Sequence, residues 1–212
     1  RGEQLDPVKL SIDISVQHIL RDELVQAMQR YRAIAAAGII INVHTGEIVA
    51  MASLPDYDPN NPVDALKPDR LNRVSAGMFE LGSIFKSFTF AMAFDSGLVK
   101  MSDSIDATNA IRVGRFTIND FHGKHRVLTV PEVFLFSSNI GTARMALKVG
   151  AEGQQAYLKR YGFFGRPALE LPEVGSPIIP KKWTDLTTMT VAFGHSMAVS
   201  PLQVAVADAA LV

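Results

Sequence analysis

Hydrophobic and polar residues alternate loosely over residues 8–14, then recur at helical spacing over 16–31, where Ile19, Leu20, Leu24, Val25 and Met28 share one side. A strand followed by an amphipathic helix is predicted. Two β-rich runs, AAAGIIINV and EIVAMASL, flank His44-Thr45-Gly46, so a hairpin of two paired, largely buried strands is expected. Pro55, Pro59, Pro62 and Pro68 then make residues 56–69 an ordered but irregular surface loop. In FELGSIFKSFTFAMAFDSG, residues 79–97, the residues Ile84, Phe85, Phe88, Phe90, Ala91, Met92, Ala93 and Phe94 leave no polar face. The helix they predict is buried on all sides, with Gly82 loosening its approach and Ser96-Gly97 stopping it.

Beyond Gly97 the pattern fragments as far as Arg126, apart from a small hairpin over 111–118 about Gly114. Thr129-Val-Pro-Glu132 writes a capping box with proline in the first turn, so a short helix begins there; it stops at Ser137-Ser138-Asn139. Helices over 140–149, 154–161 and 184–192 follow, the first two closed by Gly150 and Gly162, and Ser200-Pro201 opens a last one running to Val212. No internal repeat interrupts this order. Strands come early and helices late, which favours α+β over a parallel βαβ array.

Composition narrows the function classes. With 212 residues and 48% hydrophobic, the chain can bury one substantial core. Lys plus Arg, 21, equals Asp plus Glu, 21, and no basic block stands out, so neither nucleic acid nor an anionic membrane surface is indicated as a partner. The absence of cysteine rules out disulfides, zinc-cysteine sites and thiol catalysis. The longest apolar run, residues 88–94, is too short to cross a bilayer and Arg1 starts no signal peptide, so the residues present read as soluble.

Candidate chemistry lies in the apolar helix. Its three-residue spacing puts the Ser83 hydroxyl and the Lys86 amine on one face, a turn apart. A lysine desolvated among apolar residues and near a positive helix N-terminus loses affinity for its proton, and becomes a base able to activate serine. Ser-x-x-Lys is weak alone, and Ser83 as a helix cap with Lys86 solvated is the plainer reading. A lysine in an otherwise apolar helix, however, has no solvated face to occupy. Ser137-x-Asn139 sits at a helix break, where capping is again the plain reading; beside Ser83 and Lys86 it offers a hydroxyl to relay protons and an amide to hold both a substrate carbonyl and the lysine. His122-x-x-His125 beside Asp120 is read as a solvated loop, with no metal and no cofactor expected, and Glu132 as part of the capping box. No role is assigned to His195.

GSIFK, then FSSNIGTARMAL, then FGHSMAVSPLQVA together resemble the transpeptidase domain of class B penicillin-binding proteins, almost end to end. INVHTGEIVAMASLPDYDPN and NRVSAGMFELGS fit the same pattern, and DFHGKHRVLTVPEVFLFSSNIGTARMAL is most similar to the division-specific, septal branch. The resemblance implies a penicillin-binding-protein/serine β-lactamase-like transpeptidase fold across residues 1–212. It implies Ser83 as the acylated nucleophile, Lys86 as its base, and Ser137 with Asn139 as the second motif. It also implies a peptidoglycan stem peptide ending in D-Ala-D-Ala as substrate, β-lactams as covalent ligands, divisome partners, and a periplasmic location held by an N-terminal membrane anchor. Two departures stand out. Leu81 occupies a position that is commonly proline in the family, and the family's third motif, Lys-Thr-Gly on a late strand, is absent. His44-Thr45-Gly46 imitates that motif in letters but belongs to a turn, so the late strands of the fold are expected to be missing from this chain.

Two other functions share the first two motifs. A serine β-lactamase needs a device that delivers water to the acyl-enzyme, and no Glu-x-x-x-Asn segment follows Ser137. A non-catalytic penicillin-recognition module is disfavoured by the intact Ser83, Lys86, Ser137 and Asn139.

Overall fold

The computed structural model describes residues 8–212. The Asp13 carboxylate accepts the Ser15 and Val16 N–H groups at 2.9 and 3.1 Å, and so starts α1 (Ile14–Tyr31). This cap displaces the strand expected over residues 8–14. One backbone bond, from Asp13 N–H to the Val49 carbonyl, joins the segment to its neighbour, and Val8 and Leu10 stay exposed.

The hairpin forms as expected. β1 (Ala36–Ile41) and β2 (Ile48–Leu54) pair antiparallel, Ala36 opposite Leu54, around a turn in which Gly46 adopts φ 75°. Gln17 of α1 exchanges two hydrogen bonds with the Met51 backbone, 2.7 and 2.8 Å, and an added Cβ on Gly38 would stand 2.9 Å from Leu20, so glycine permits the close approach of helix to sheet. The strands are not largely buried. Only Ala50 and Leu54 are fully covered, and Ile40 is 39% exposed, because both strands of a two-stranded sheet are edges. Residues 56–69 run irregularly through a 3-10 turn at Pro62–Asp64 and lead to a second at Pro68–Arg70.

The central apolar run divides into a 3-10 turn, Gly82–Phe85, and α2 (Lys86–Asp95). Its two sides feed two cores. Phe85 and Phe88 meet Phe163 with ring centroids 5.2 and 4.9 Å apart, while Phe90 and Ala93 join Val99, Leu128, Val133 and Met145. Burial is not complete, since Ile84 on the 3-10 turn is 61% exposed and Asp95 ends the helix in solvent.

β3 (Ser104–Asp106) pairs with β6 (Val127–Thr129), strands too short for the sequence pattern to reveal. β4 (Ile111–Val113) and β5 (Phe116–Ile118) form the hairpin about Gly114. The Thr129–Glu132 capping box opens α3 (Val130–Leu135). α4 (Asn139–Arg160) is broken at Gly150, φ 80° and ψ 167°, as the two predicted helices require. Thr184 caps α5 (Asp185–Ala192), and Ser200 with Gln203 makes a second capping box at α6 (Pro201–Ala209), which ends short of Val212.

Candidate active site

The approach to Ser83 is zipped to the segment before α6. Phe79 and Val199 exchange both backbone hydrogen bonds at 3.0 and 3.1 Å, Gly82 N–H reaches the Gly194 carbonyl at 3.1 Å, and the Glu80 carboxylate accepts the Ser196 N–H at 2.8 Å. Gly194 adopts φ 82°, and a Cβ there would strike the Gly82 backbone. Ser83 is exposed on the 3-10 turn that follows, where residues three apart eclipse, so Lys86 lies directly behind it.

Lys86 is 2% exposed, yet all its hydrogen bonds stay within the site. Its Nζ lies 3.2 Å from Ser83 Oγ and 2.8 Å from Ser137 Oγ, and it also donates to the Ser137 carbonyl. Burial holds the amine well below the usual lysine range, to about 8, against a smaller opposing pull from the Asp120 carboxylate.

Ser137 reaches the lysine because α3 ends in a Schellman turn. Its own N–H bonds the Phe134 carbonyl at 3.0 Å, the Ser138 N–H bonds the Val133 carbonyl at 2.9 Å, and Ser137 takes the left-handed conformation, φ 52°. Glycine usually fills that position, and a serine there stores strain at a functional place. Ser138, not its flanking neighbours, caps α4 by accepting the Gly141 N–H at 2.9 Å.

Sequence reasoning placed Ser83, Lys86 and Ser137 together, and the structure brings them together. Asn139 differs. Its amide donates to the Asn119 carbonyl at 3.0 Å and makes no hydrogen bond to Lys86 among the described residues, so it does not hold the lysine. Asp120, read from the sequence only as part of a solvated loop, meets this segment: its two oxygens accept the Ser138 hydroxyl at 2.8 Å and the Ile140 N–H at 2.9 Å. Only an aspartate two residues past a short hairpin marked it in the sequence. Glu132 accepts two bonds from Arg126, at 2.7 and 3.1 Å, and closes the capping box; the arginine and the Thr129 N–H hold its carboxyl down to about 2. A cavity of about 440 Å³ opens beside Asn139, walled by Asn119, Phe116, Thr190 and His195. The His195 ring stands 3.6 Å from the Glu80 carboxylate.

The penicillin binding protein transpeptidase domain model matches residues 36–212. The probable peptidoglycan D,D-transpeptidase FtsI of Caulobacter vibrioides is 42% identical over 99% of this chain and 36% of its own length. The peptidoglycan D,D-transpeptidase FtsI of Escherichia coli K12 is 32% identical over 92% of this chain and 33% of its own. The chain thus spans about a third of the curated relatives it matches. The apo TP domain of Burkholderia pseudomallei penicillin-binding protein 3 superposes with a TM-score of 0.84 at 29% identity, covering 100% of this chain and 59% of that one. The α+β fold is therefore that of penicillin-binding transpeptidase domains, and the chain belongs to the penicillin-binding protein transpeptidase family.

Proposed function

We propose that this chain carries the acylation site of a peptidoglycan D,D-transpeptidase of the septal type. The observation that bears most weight is Lys86, nearly sequestered from solvent and hydrogen-bonded to both Ser83 and Ser137. With its proton affinity lowered toward neutrality, Lys86 in its neutral form takes the Ser83 proton as Oγ attacks the penultimate carbonyl of a stem peptide ending in D-Ala-D-Ala. The C–O bond of the acyl-enzyme forms, the C–N bond breaks, and the proton passes through the Ser137 hydroxyl to the departing D-alanine amine. An amine of a neighbouring stem peptide then displaces Ser83 and makes the crosslink. β-Lactams acylate the same oxygen. Asn139, on the cavity wall, orients the substrate through its amide.

Residues ahead of the family match belong to the same domain in this reading, because α1 is bonded to β2 through Gln17 and Met51. A division role, divisome partners and a periplasmic site held by an N-terminal anchor are part of this reading, and the likeness to FtsI proteins is what supports them. No helix among the described residues is long and apolar enough to cross a membrane.

Fluorescent penicillin labelling of the longer native protein, followed through deacylation, tests the assignment. A stable label that disappears in Ser83→Ala, with the fold unchanged, is expected. An acyl adduct persisting in Ser83→Ala by mass spectrometry removes Ser83 as nucleophile; rapid turnover identifies a β-lactamase, and absence of label a non-catalytic module.

A further inference from the structure

We propose that Asp120 is a positioning residue of the acylation site: standing just beyond β5, it holds the Ser138 hydroxyl and the Ile140 N–H on either side of Asn139, and thereby sets Ser137 against Lys86 and Asn139 at the cavity wall. Resting on the acyl-transfer reading above, the proposal starts from the bonds themselves. One oxygen of Asp120 accepts the Ser138 hydroxyl at 2.8 Å, the other the Ile140 N–H at 2.9 Å, and the adjoining Asn119 carbonyl accepts the Asn139 side-chain amide at 3.0 Å. Two consecutive residues thus hold three.

A helix-capping role alone does not account for this. α4 already has its cap, since Ser138 Oγ takes the Gly141 N–H, and Asp120 fixes which way that hydroxyl points by receiving its proton. Ser138 is 1% exposed and Asp120 half-buried, so water competes less for this bond than at the open surface. It is delivered there rigidly: Ile118, the last residue of β5, is buried with Ala143, Met189 and Phe193. Ser137 precedes this clamp in a left-handed turn that a serine does not favour, and the strain persists only where the surroundings enforce it.

The same carboxylate acts on the base by charge. Glu80 and His195 flank the approach to Ser83, and His122, Lys124 and His125 share the Asp120 loop, with Lys124 turned over the Phe136 ring at 4.7 Å. Among the described residues Asp120 is the charged group that acts on Lys86, raising its proton affinity against the effect of burial. Removing the charge therefore lowers the affinity of Lys86 for its proton.

Penicillin acylation rates of the full-length protein, measured across pH for wild type, Asp120→Asn and Asp120→Ala, together with NMR titration of the Lys86 amine, test this role. Asp120→Ala is expected to lower the acylation rate by about 10²-fold, the usual consequence of a small misplacement of reacting groups. Asp120→Asn keeps the shape, loses less, and moves both the acid limb of the rate profile and the Lys86 titration to lower pH. If Asp120→Ala does not fold, Asp120→Asn decides. A wild-type rate in Asp120→Asn, with the limb and the Lys86 titration both unmoved, overturns the positioning role. Failure of the acyl-transfer reading is seen separately, as labelling that survives Ser83→Ala, while the Lys86 titration reports on Asp120 whatever the chemistry.

Discussion

Lys86 is a residue whose role is legible in the sequence while most of its surroundings are not. A cation inside an unbroken apolar run is anomalous in a sequence, and the anomaly led to Ser83 and, through the second motif, to Ser137. The partners of Asn139 and Asp120 were not legible, because they depend on where a short hairpin sets a loop beside a helix start. Two predictions belong to this residue. Acylation needs the neutral amine, so its rate should rise with pH and level off above about 8; Lys86→Arg should be nearly as damaging as Lys86→Ala, since guanidinium does not lose its proton. An arginine variant that acylates normally removes Lys86 as base. The second prediction concerns stability. With a folded value near 8, below the unfolded value of 10.5, the unfolded chain holds the extra proton between these limits, so stability rises with pH through that window and the penalty of burying the charge is fully present below it. Lys86→Met, with no such group, should lose its stability advantage over wild type by about 3 kcal/mol from pH 7 to pH 10.5. Chemical denaturation at both pH values measures the change, and a constant difference contradicts a buried titrating amine.

Elements were readable where the signal is local. The Thr129–Glu132 capping box, the Ser200-Pro201 helix start, the Gly150 break and the two hairpin turns are written in four residues or fewer, and each forms. Signals that depend on distant packing misled or said nothing. Alternation over residues 8–14 gave way to the Asp13 cap, β3 and β6 are too short to show a period, and the β1–β2 hairpin is half-open because a single pair of strands has two edges. The zipper between residues 79–82 and 194–199 is equally invisible in sequence, although it sets the turn that presents Ser83. Its tightest point is Gly194, where positive φ and the nearby Gly82 backbone both exclude a side chain. Gly194→Ala should lower stability by about 1–2 kcal/mol from the left-handed backbone alone, and acylation should fall further as Gly82 is pushed aside. Thermal unfolding and labelling rate together check it: a variant that loses stability but acylates normally would show that the zipper is not what aims Ser83.

Across the whole molecule, α2 is the partition between two cores, so the site sits where Phe85 and Phe88 anchor one side of the helix and Phe90 the other. That arrangement seats Ser83 and Lys86, while the two-stranded sheets among the described residues add Ile105 and Leu128 to one core and, through β5, bring Asp120 to the segment after Ser137. It does not supply what the family resemblance assigns to a late Lys-Thr-Gly strand, namely an oxyanion donor and a hold on the substrate carboxylate. Loss of one oxyanion donor typically lowers rate by about 10²–10³-fold. A polypeptide limited to residues 1–212 should therefore fold the cores on either side of α2 and keep Lys86 buried, yet acylate at least about 10²-fold more slowly than the same residues in a chain that carries a Lys-Thr-Gly strand. Side-by-side acylation rates, with the Lys86 titration as a check that the site has formed in both, decide the matter: equal rates would mean that Ser83, Lys86 and Ser137 suffice for acylation and that the third motif serves a later step.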